Sequence, residues 1–309
     1  MVAGVIYDQH GRLLLSQRPA GKHLAGTWEF PGGKLEAGES RESGLARELA
    51  EELGIQVLAS EPLLSLTHQY ADRSVRLWLR AVSAYQGQPV GREGQALDWI
   101  EPAQAHQLAM PAADRPMLKA LDLDPRYVLA PEPDALDTGP ALLAFWQAAL
   151  RAGYRWLQFP DYRLPDARML ALARDCSTLA RAFGARWLLQ GDPELVESAG
   201  ADGIHLDGPT LQACSSRPVS AAHIACASCR GPEDLDQAGR IGLDFVILLP
   251  SPAENNPSTM SWDWADFADL CARSPLPVLA AGALAPADLA LVRAHGGFGV
   301  AGRFGVDEP

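Results

Sequence analysis

Between Gly33 and Ile55 the chain reads GKLEAGESRESGLARELAEELGI, and this stretch restricts both local fold and chemistry. Ser40 suits a helix N-cap, Glu42 suits the first turn, and Gly54 suits a left-handed stop. Leu45, Leu49 and Leu53 recur every four residues, so one stripe of the helix must be buried. Glu48, Glu51 and Glu52 fall on the adjoining face at helical spacing. Carboxylates this close are tolerated if they spread into water, pair with a cation such as Arg47, or are neutralised by a bound metal. On charge alone, a solvated acidic face is the simpler account.

The full spacing goes further. Five residues lead from Gly33 to Glu39, seven more to Arg47-Glu48-Leu49, and Glu51-Glu52 and Gly54-Ile55 complete the pattern. It resembles a Nudix box with every defined position filled. The resemblance implies hydrolysis of a nucleoside diphosphate linked to another group. It also implies Mg²⁺, or Mn²⁺ in its place, as cofactor, because hard carboxylate oxygens suit such ions. Glu48 is then the candidate base, Glu51 a second catalytic carboxylate, and Arg47 the group that orients the acids through ion pairs. Glu48, Glu51, Glu52 and the Gly33 carbonyl are the implied metal ligands.

Three further stretches resemble the MutT-type branch of that family: residues 28–36 (WEFPGGKLE), 70–78 (YADRSVRLW) and 91–95 (GREGQ). By that resemblance Glu93 is an additional metal ligand, and the substrate is an oxidised guanine nucleotide such as 8-oxo-dGTP. The implied base and sugar pocket is bordered by Arg18, His23, Glu29, Phe30 and Arg73. Taken singly, each has a plain alternative: surface charges for Arg18, Arg73 and Glu93, a loop residue for His23, a core plug for Phe30. Asp114 stands where the branch usually carries a base-reading asparagine. An amide both donates and accepts, whereas an ionised carboxylate only accepts; a protonated one in a desolvated pocket does both.

A chain of 309 residues points to two domains, placed at 1–124 and 125–309. Hydrophobic residues make up 48% and no apolar run approaches the length of a membrane span, which predicts a soluble chain with no membrane partner. The first residues carry no basic region and are interrupted by Asp8, so a strand rather than a signal peptide is expected, with the cytoplasm as location. Net charge is −12, and neither half is basic: residues 1–124 hold 12 basic and 16 acidic side chains, leaving 14 and 22 beyond. A duplex-binding surface needs clustered cations, so the expected partner is a small-molecule nucleotide, with no duplex nucleic acid. All five cysteines lie in the second half, and the single Cys226-Ala-Ser-Cys229 pair is expected as small core residues on a strand.

For the first half, strands are expected at 2–7, 13–16, 63–70, 75–84 and 96–100, with a glycine-rich loop at 26–33 and a helical region opening at Pro102. This is the α/β/α sandwich with mixed sheet that the Nudix resemblance implies. In the second half, eight short apolar runs begin near 127, 156, 186, 203, 223, 244, 277 and 298. Helical patterns at 140–152, 166–183, 262–272 and 286–295 alternate with them, which predicts parallel strands with crossovers. A (β/α)8 TIM-type barrel fits, smaller than the about 250 residues typical of that fold.

Residues 200–206 (GADGIHL) and 277–282 (PVLAAG) resemble the thiamine phosphate synthase and TenI-like barrels. The positions that such a synthase uses are replaced, so a degenerate barrel is expected. Gln158 is followed by Phe159-Pro160-Asp161-Tyr162 in place of a basic pair, and Gln190-Gly191 replaces an Asn-Asp pair. Asp207-Gly208-Pro209-Thr210 lacks a second acid, and Pro250-Ser251-Pro252 lacks the following Thr and Lys. Asp192, Asp207 and Arg303 are candidates to substitute in part, and Gly282 to offer backbone donors to a phosphate. His205 either serves TenI-like chemistry or plugs the barrel. The barrel is accordingly an enzyme of thiamine metabolism or a binding or packing module.

Overall fold

The computed structural model describes residues 1–131, 139–161, 166–250, 252–253, 256–260 and 262–304. The chain divides into two compact units, Met1–Asp122 and Leu123–Pro309. Leu123 and Asp124 thus go with the second unit, where Asp124 holds the Arg126 guanidinium through both carboxylate oxygens at 3.0 Å.

In the first unit, β1 (Val2–Val5), β2 (Leu13–Gln17), β3 (Trp28–Glu29) and β4 (Gly32–Gly33) precede helix α1 (Arg41–Leu53). The long strands β5 (Gln56–Gln69) and β6 (Ser74–Gln86), then β7 (Ala96–Ile100), α2 (Pro102–Ala105) and α3 (Asp114–Ala120) follow. One sheet runs β4-β1-β6-β5 and is mixed, with β1 parallel to β6 and antiparallel to β4; a second runs β3-β2-β7. The loop expected at 26–33 therefore contains two short strands. Two-residue strands carry no hydrophobic alternation, so pairing to β1 and β2 is what defines them.

The α1 helix has the caps that its sequence demands. The Ser40 hydroxyl accepts from the Ser43 amide at 3.0 Å, and Gly54 closes the helix at φ 70°. Leu45, Leu49 and Leu53 are fully buried against Val2, Ile6, Leu14, Trp78 and Val82. Burial at roughly 1.5–3 kcal/mol per leucine fixes the helix rotation. With that stripe inward, Glu48 and Glu52 lie on the flank facing β4.

In the second unit the strands β8 (Arg126–Val128), β9 (Trp156–Phe159), β10 (Arg186–Leu189), β11 (Gly203–Leu206), β12 (Ile224–Cys229) and β13 (Phe245–Leu248) alternate with helices. These are α4 (Gly139–Arg151), α5 (Asp166–Ala182), α6 (Val196–Ala199), α7 (Gly208–Ala213) and α8 (Pro232–Arg240). A small antiparallel pair, β14 (Pro252–Ala253) and β15 (Asn256–Met260), precedes α9 (Trp264–Arg273), β16 (Val278–Ala280), α10 (Leu289–Ala294) and β17 (Gly299–Gly302). The eight main strands close a parallel barrel in the order β10-β11-β12-β13-β16-β17-β8-β9. Tyr127, Trp156 and Phe245 pack edge to face in its interior, while Trp146, Phe159 and Trp187 form an aromatic layer in the surrounding core. Cys226 and Cys229 are buried free thiols on β12, matching the core reading. Among the described residues no helix is long and apolar enough to cross a membrane.

Candidate active site

Arg47 is the hub of the acidic face. Its Nε and Nη2 donate to Glu39 Oε1 and Oε2, and Nη2 also donates to the Lys34 carbonyl at 2.9 Å. Its Nη1 lies 3.2 Å from both Glu48 Oε1 and Glu51 Oε2. Of these acids Glu51 is the exposed one, at 59% of its side chain against 13% for Glu48.

Glu48 and Glu52 converge on β4 from the helix. A Cβ at Gly33 would lie 2.3 Å from the Glu48 carboxyl carbon, so that carboxylate occupies the space that the glycine leaves against the strand. Glu52 Oε2 accepts from the Gly32 amide at 3.2 Å. Burial pushes Glu52 up to about 7, and the negative charges of Glu93, Glu48 and Glu29 add to the effect against the opposing Gly32 bond. Glu93 reaches the same region from the loop before β7. Its amide donates to Gln95 Oε1, Gln95 Nε2 donates to the Glu52 carbonyl, and its carboxylate pairs with Lys22 Nζ at 2.6 Å.

The residues expected around the base do not all meet. Arg18 Nη1 lies 2.5 Å from Glu29 Oε2, and Arg18 Nε donates to the His23 carbonyl at 2.7 Å. His23 thus joins through its backbone, and its side chain is exposed. Asp114, at the start of α3, is buried, with 8% of its surface exposed. Burial pushes its carboxyl up to about 8, with Glu29 adding to the shift and Arg18 opposing it. Glu29 is itself raised, by burial first, despite the Arg18 partner. Phe30 is buried in the core. Arg73 sits in the β5–β6 turn over the Tyr70 ring at 5.5 Å, and among the described residues no hydrogen bond or ion pair joins it to Arg18, Glu29 or Asp114.

In the second unit a cavity of about 1160 Å³ opens at the carboxyl ends of the barrel strands, lined in part by Gln158, Gln190, His205, Ser228, Gly282 and Arg303. His205 Nε2 lies 2.9 Å from Ser228 Oγ, and its Nδ1 lies 3.3 Å from Tyr127 Oη and 3.2 Å from Gln158 Nε2. Burial lowers the imidazole to about 4, so it is neutral near pH 7. Gln158 also donates to Gln190 Oε1 at 2.8 Å. Two acids expected to substitute for lost ligands serve as caps: Asp192 accepts from the Glu194 amide and Asp207 from the Thr210 amide. Tyr162 and Ser251 lie outside the described residues.

A family model for the NUDIX domain matches residues 2–120, and one for thiamine monophosphate synthase matches residues 127–306. The chain belongs to both families, a Nudix hydrolase unit fused to a synthase-family barrel. Escherichia coli CTP pyrophosphohydrolase is 40% identical over 119 residues, 38% of this chain and 88% of that protein. Escherichia coli 8-oxo-dGTP diphosphatase is 33% identical, covering 39% of this chain and 94% of that protein. A putative thiamine-phosphate synthase of Geobacter sulfurreducens is 31% identical over 168 residues, 53% of this chain and 78% of that protein.

Nudix hydrolases generally use a divalent metal, and the residues of this Nudix unit fit one. Glu48 and Glu52 present hard oxygens to one strand, and Glu52 is raised by burial first, with the neighbouring carboxylates Glu93, Glu48 and Glu29 adding to the effect. Among the described residues no three His, Cys, Asp or Glu side chains form a ready metal cage. Mg²⁺ does not need one, since it keeps several waters and shares one or two carboxylates with substrate phosphates. Three participants escaped the sequence reading as site residues: Glu39, Gln95 and Lys22. Glu39 was legible as a box position. Gln95 and Lys22 act through partners far along the chain, and no local spacing marks them.

Proposed function

We propose that the Nudix unit hydrolyses 8-oxo-dGTP to its monophosphate and pyrophosphate, a reaction that removes oxidised guanine from the nucleotide pool. The observation that carries this reading is the convergence of Glu48 and Glu52 on the Gly32-Gly33 strand beneath the Arg47 staple. Glu48, Glu51, Glu52, Glu93 and the Gly33 carbonyl are the proposed set around the cation, Mg²⁺ or Mn²⁺. When bound, that cation neutralises the polyphosphate and polarises the phosphorus under attack. Glu48 takes the proton from the attacking water, a new P–O bond forms, and the P–O bond to the leaving pyrophosphate breaks. Arg47 positions Glu48 and Glu51 without touching substrate.

Asp114, Glu29 and Arg18 form the base-reading end. A carboxyl raised to about 8 is a neutral acid at pH 7, with an O–H donor beside a C=O acceptor. That pair is the same pattern as an asparagine amide. It matches the O6 acceptor and N7–H donor of 8-oxo-guanine, whereas the N7 of guanine offers a second acceptor. His23 and Arg73 are the weaker members of the proposed pocket.

A second reading is supported by the CTP pyrophosphohydrolase relative. Cytosine also places an acceptor, N3, beside a donor, the N4 amine, so a neutral Asp114 serves it equally well. Pyrophosphate release from 8-oxo-dGTP, dGTP and CTP with Mg²⁺, repeated with Glu52→Gln, tests both. Preference for 8-oxo-dGTP over dGTP, lost in the variant, supports the first reading, and preference for CTP replaces it with the second.

A further inference from the structure

Lys22 lies in the loop between β2 and β3, and this loop is pinned at its base. Arg18 Nε donates to the His23 carbonyl at 2.7 Å, the Gly26 amide donates to the Arg18 carbonyl at 2.9 Å, and the Ala25 amide donates to the Lys22 carbonyl at 3.1 Å. The pinned loop directs Lys22 across the site, where Nζ meets Glu93 Oε2 at 2.6 Å. Glu93 is in turn tethered through Gln95 to the Glu52 carbonyl. The ammonium is attracted first by Glu93 and more weakly by Glu52, and it is repelled by Arg18. Arg47 donates instead to Glu39, Glu48, Glu51 and the Lys34 carbonyl, and among the described residues no hydrogen bond or ion pair joins it to Glu52 or Glu93. The acidic site is thus balanced from two sides, by a fixed guanidinium and by a flexible ammonium.

The two cations differ in how firmly they are held. Arg47 is fixed by a planar fork, while Lys22 and Glu93 are a single contact with side chains 52% and 44% exposed. Exposed pairs of this kind hold weakly. A divalent ion brings twice the charge to the same oxygens. Resting on the assignment of Glu52 and Glu93 as metal ligands, we propose that Lys22 is the resident counter-ion of this site. Its ammonium leaves Glu93 when the divalent cation enters and turns to the phosphate oxygens of the substrate, which makes Lys22 a substrate-positioning residue.

The test is Mn²⁺ titration of the metal-free full-length chain, followed by electron paramagnetic resonance without nucleotide. Lys22→Met should bind Mn²⁺ about three- to fivefold more tightly than wild type, the scale set by one exposed ion pair. Lys22→Arg should stay near wild type. In a Glu93→Gln background, Lys22→Met should have no further effect, because the competing pair is already gone. Steady-state kinetics should show a raised KM for the nucleotide in Lys22→Met with kcat little changed. Equal Mn²⁺ affinity in Lys22→Met and wild type overturns the exchange, and an unchanged KM overturns the phosphate role. Failure of both proteins to bind Mn²⁺ would instead overturn the metal site itself, and the exchange with it.

Discussion

Arg47 grips Glu39 through two parallel bonds, Nε to Oε1 and Nη2 to Oε2, each 2.9 Å long. Glu39 is anchored in turn by the Glu36 amide at 2.9 Å, so the guanidinium is held from behind and turns Nη1 toward Glu48 and Glu51. A lysine keeps the charge and loses the fork. Arg47→Lys should therefore lower Mg²⁺-dependent pyrophosphate release by about 10–100-fold, the usual scale for groups that orient metal ligands. Its melting temperature should change less than the rate, because lysine keeps the positive charge beside Glu39, Glu48 and Glu51. A Mg²⁺ titration of the rate on wild type and variant measures the effect.

Glu52 predicts a pH-dependent stability. Its carboxyl sits at about 7 in the folded chain against 4.5 ordinarily, with burial as the main cause. The folded state therefore binds more protons than the unfolded state between these values, and stability falls as pH rises from 4.5 to 7. After discounting for partial solvent access, the loss from this group is about 1–3 kcal/mol. Melting curves of the metal-free chain should show this decline, and Glu52→Gln should remove its contribution. Added Mg²⁺ should restore stability near pH 8 in wild type.

Asp114 predicts a pH-dependent affinity for the base. With the carboxyl near 8, the donor O–H is present at neutral pH and lost above it. The kcat/KM for the preferred nucleotide should fall about tenfold per pH unit well above that value, the limit for loss of one essential proton. Asp114→Asn should flatten this limb, because an amide keeps its donor at every pH. A profile from pH 6 to 10, as an approximate span, separates the two proteins.

His205 predicts acid sensitivity of the barrel. Burial depresses its folded value to about 4 from 6.5, so below 6.5 the unfolded chain takes up protons that the folded barrel refuses. The stability is fully present above 6.5 and lost as pH falls through 4, by about 2–3 kcal/mol at the low end. His205→Gln should remove this slope. A melting series across that range, read from the transition of the second unit, measures it.

Much of the architecture was legible because it is written in short repeats. The leucine stripe at 45, 49 and 53, the Ser40 and Gly54 caps, and the apolar runs of the barrel are patterns that a helix or strand reads within its own length. Strand β9 (Trp156–Phe159) and strand β7 (Ala96–Ile100) fall where the runs predicted. Strand β5, by contrast, begins at Gln56, well before the expected 63, because its first half alternates weakly and is defined by pairing with β6. The two-residue strands at 28–29 and 32–33 had no period to read at all.

By itself the sequence determined the box helix, the acids on its flank, and a repeating strand and helix pattern that admits a parallel barrel. Those follow from local periodicity and from residue types at fixed spacing. Tertiary structure alone decided which distant groups meet: Lys22 with Glu93 across 71 residues, Tyr127 with His205 across 78, and Arg18 and Glu29 beside Asp114. It also decided their protonation, because a carboxyl at about 8 and an imidazole at about 4 are products of burial and neighbouring charge. Spacing along a chain places a side chain on a face, but the dielectric and the charges around it exist only once the chain has folded.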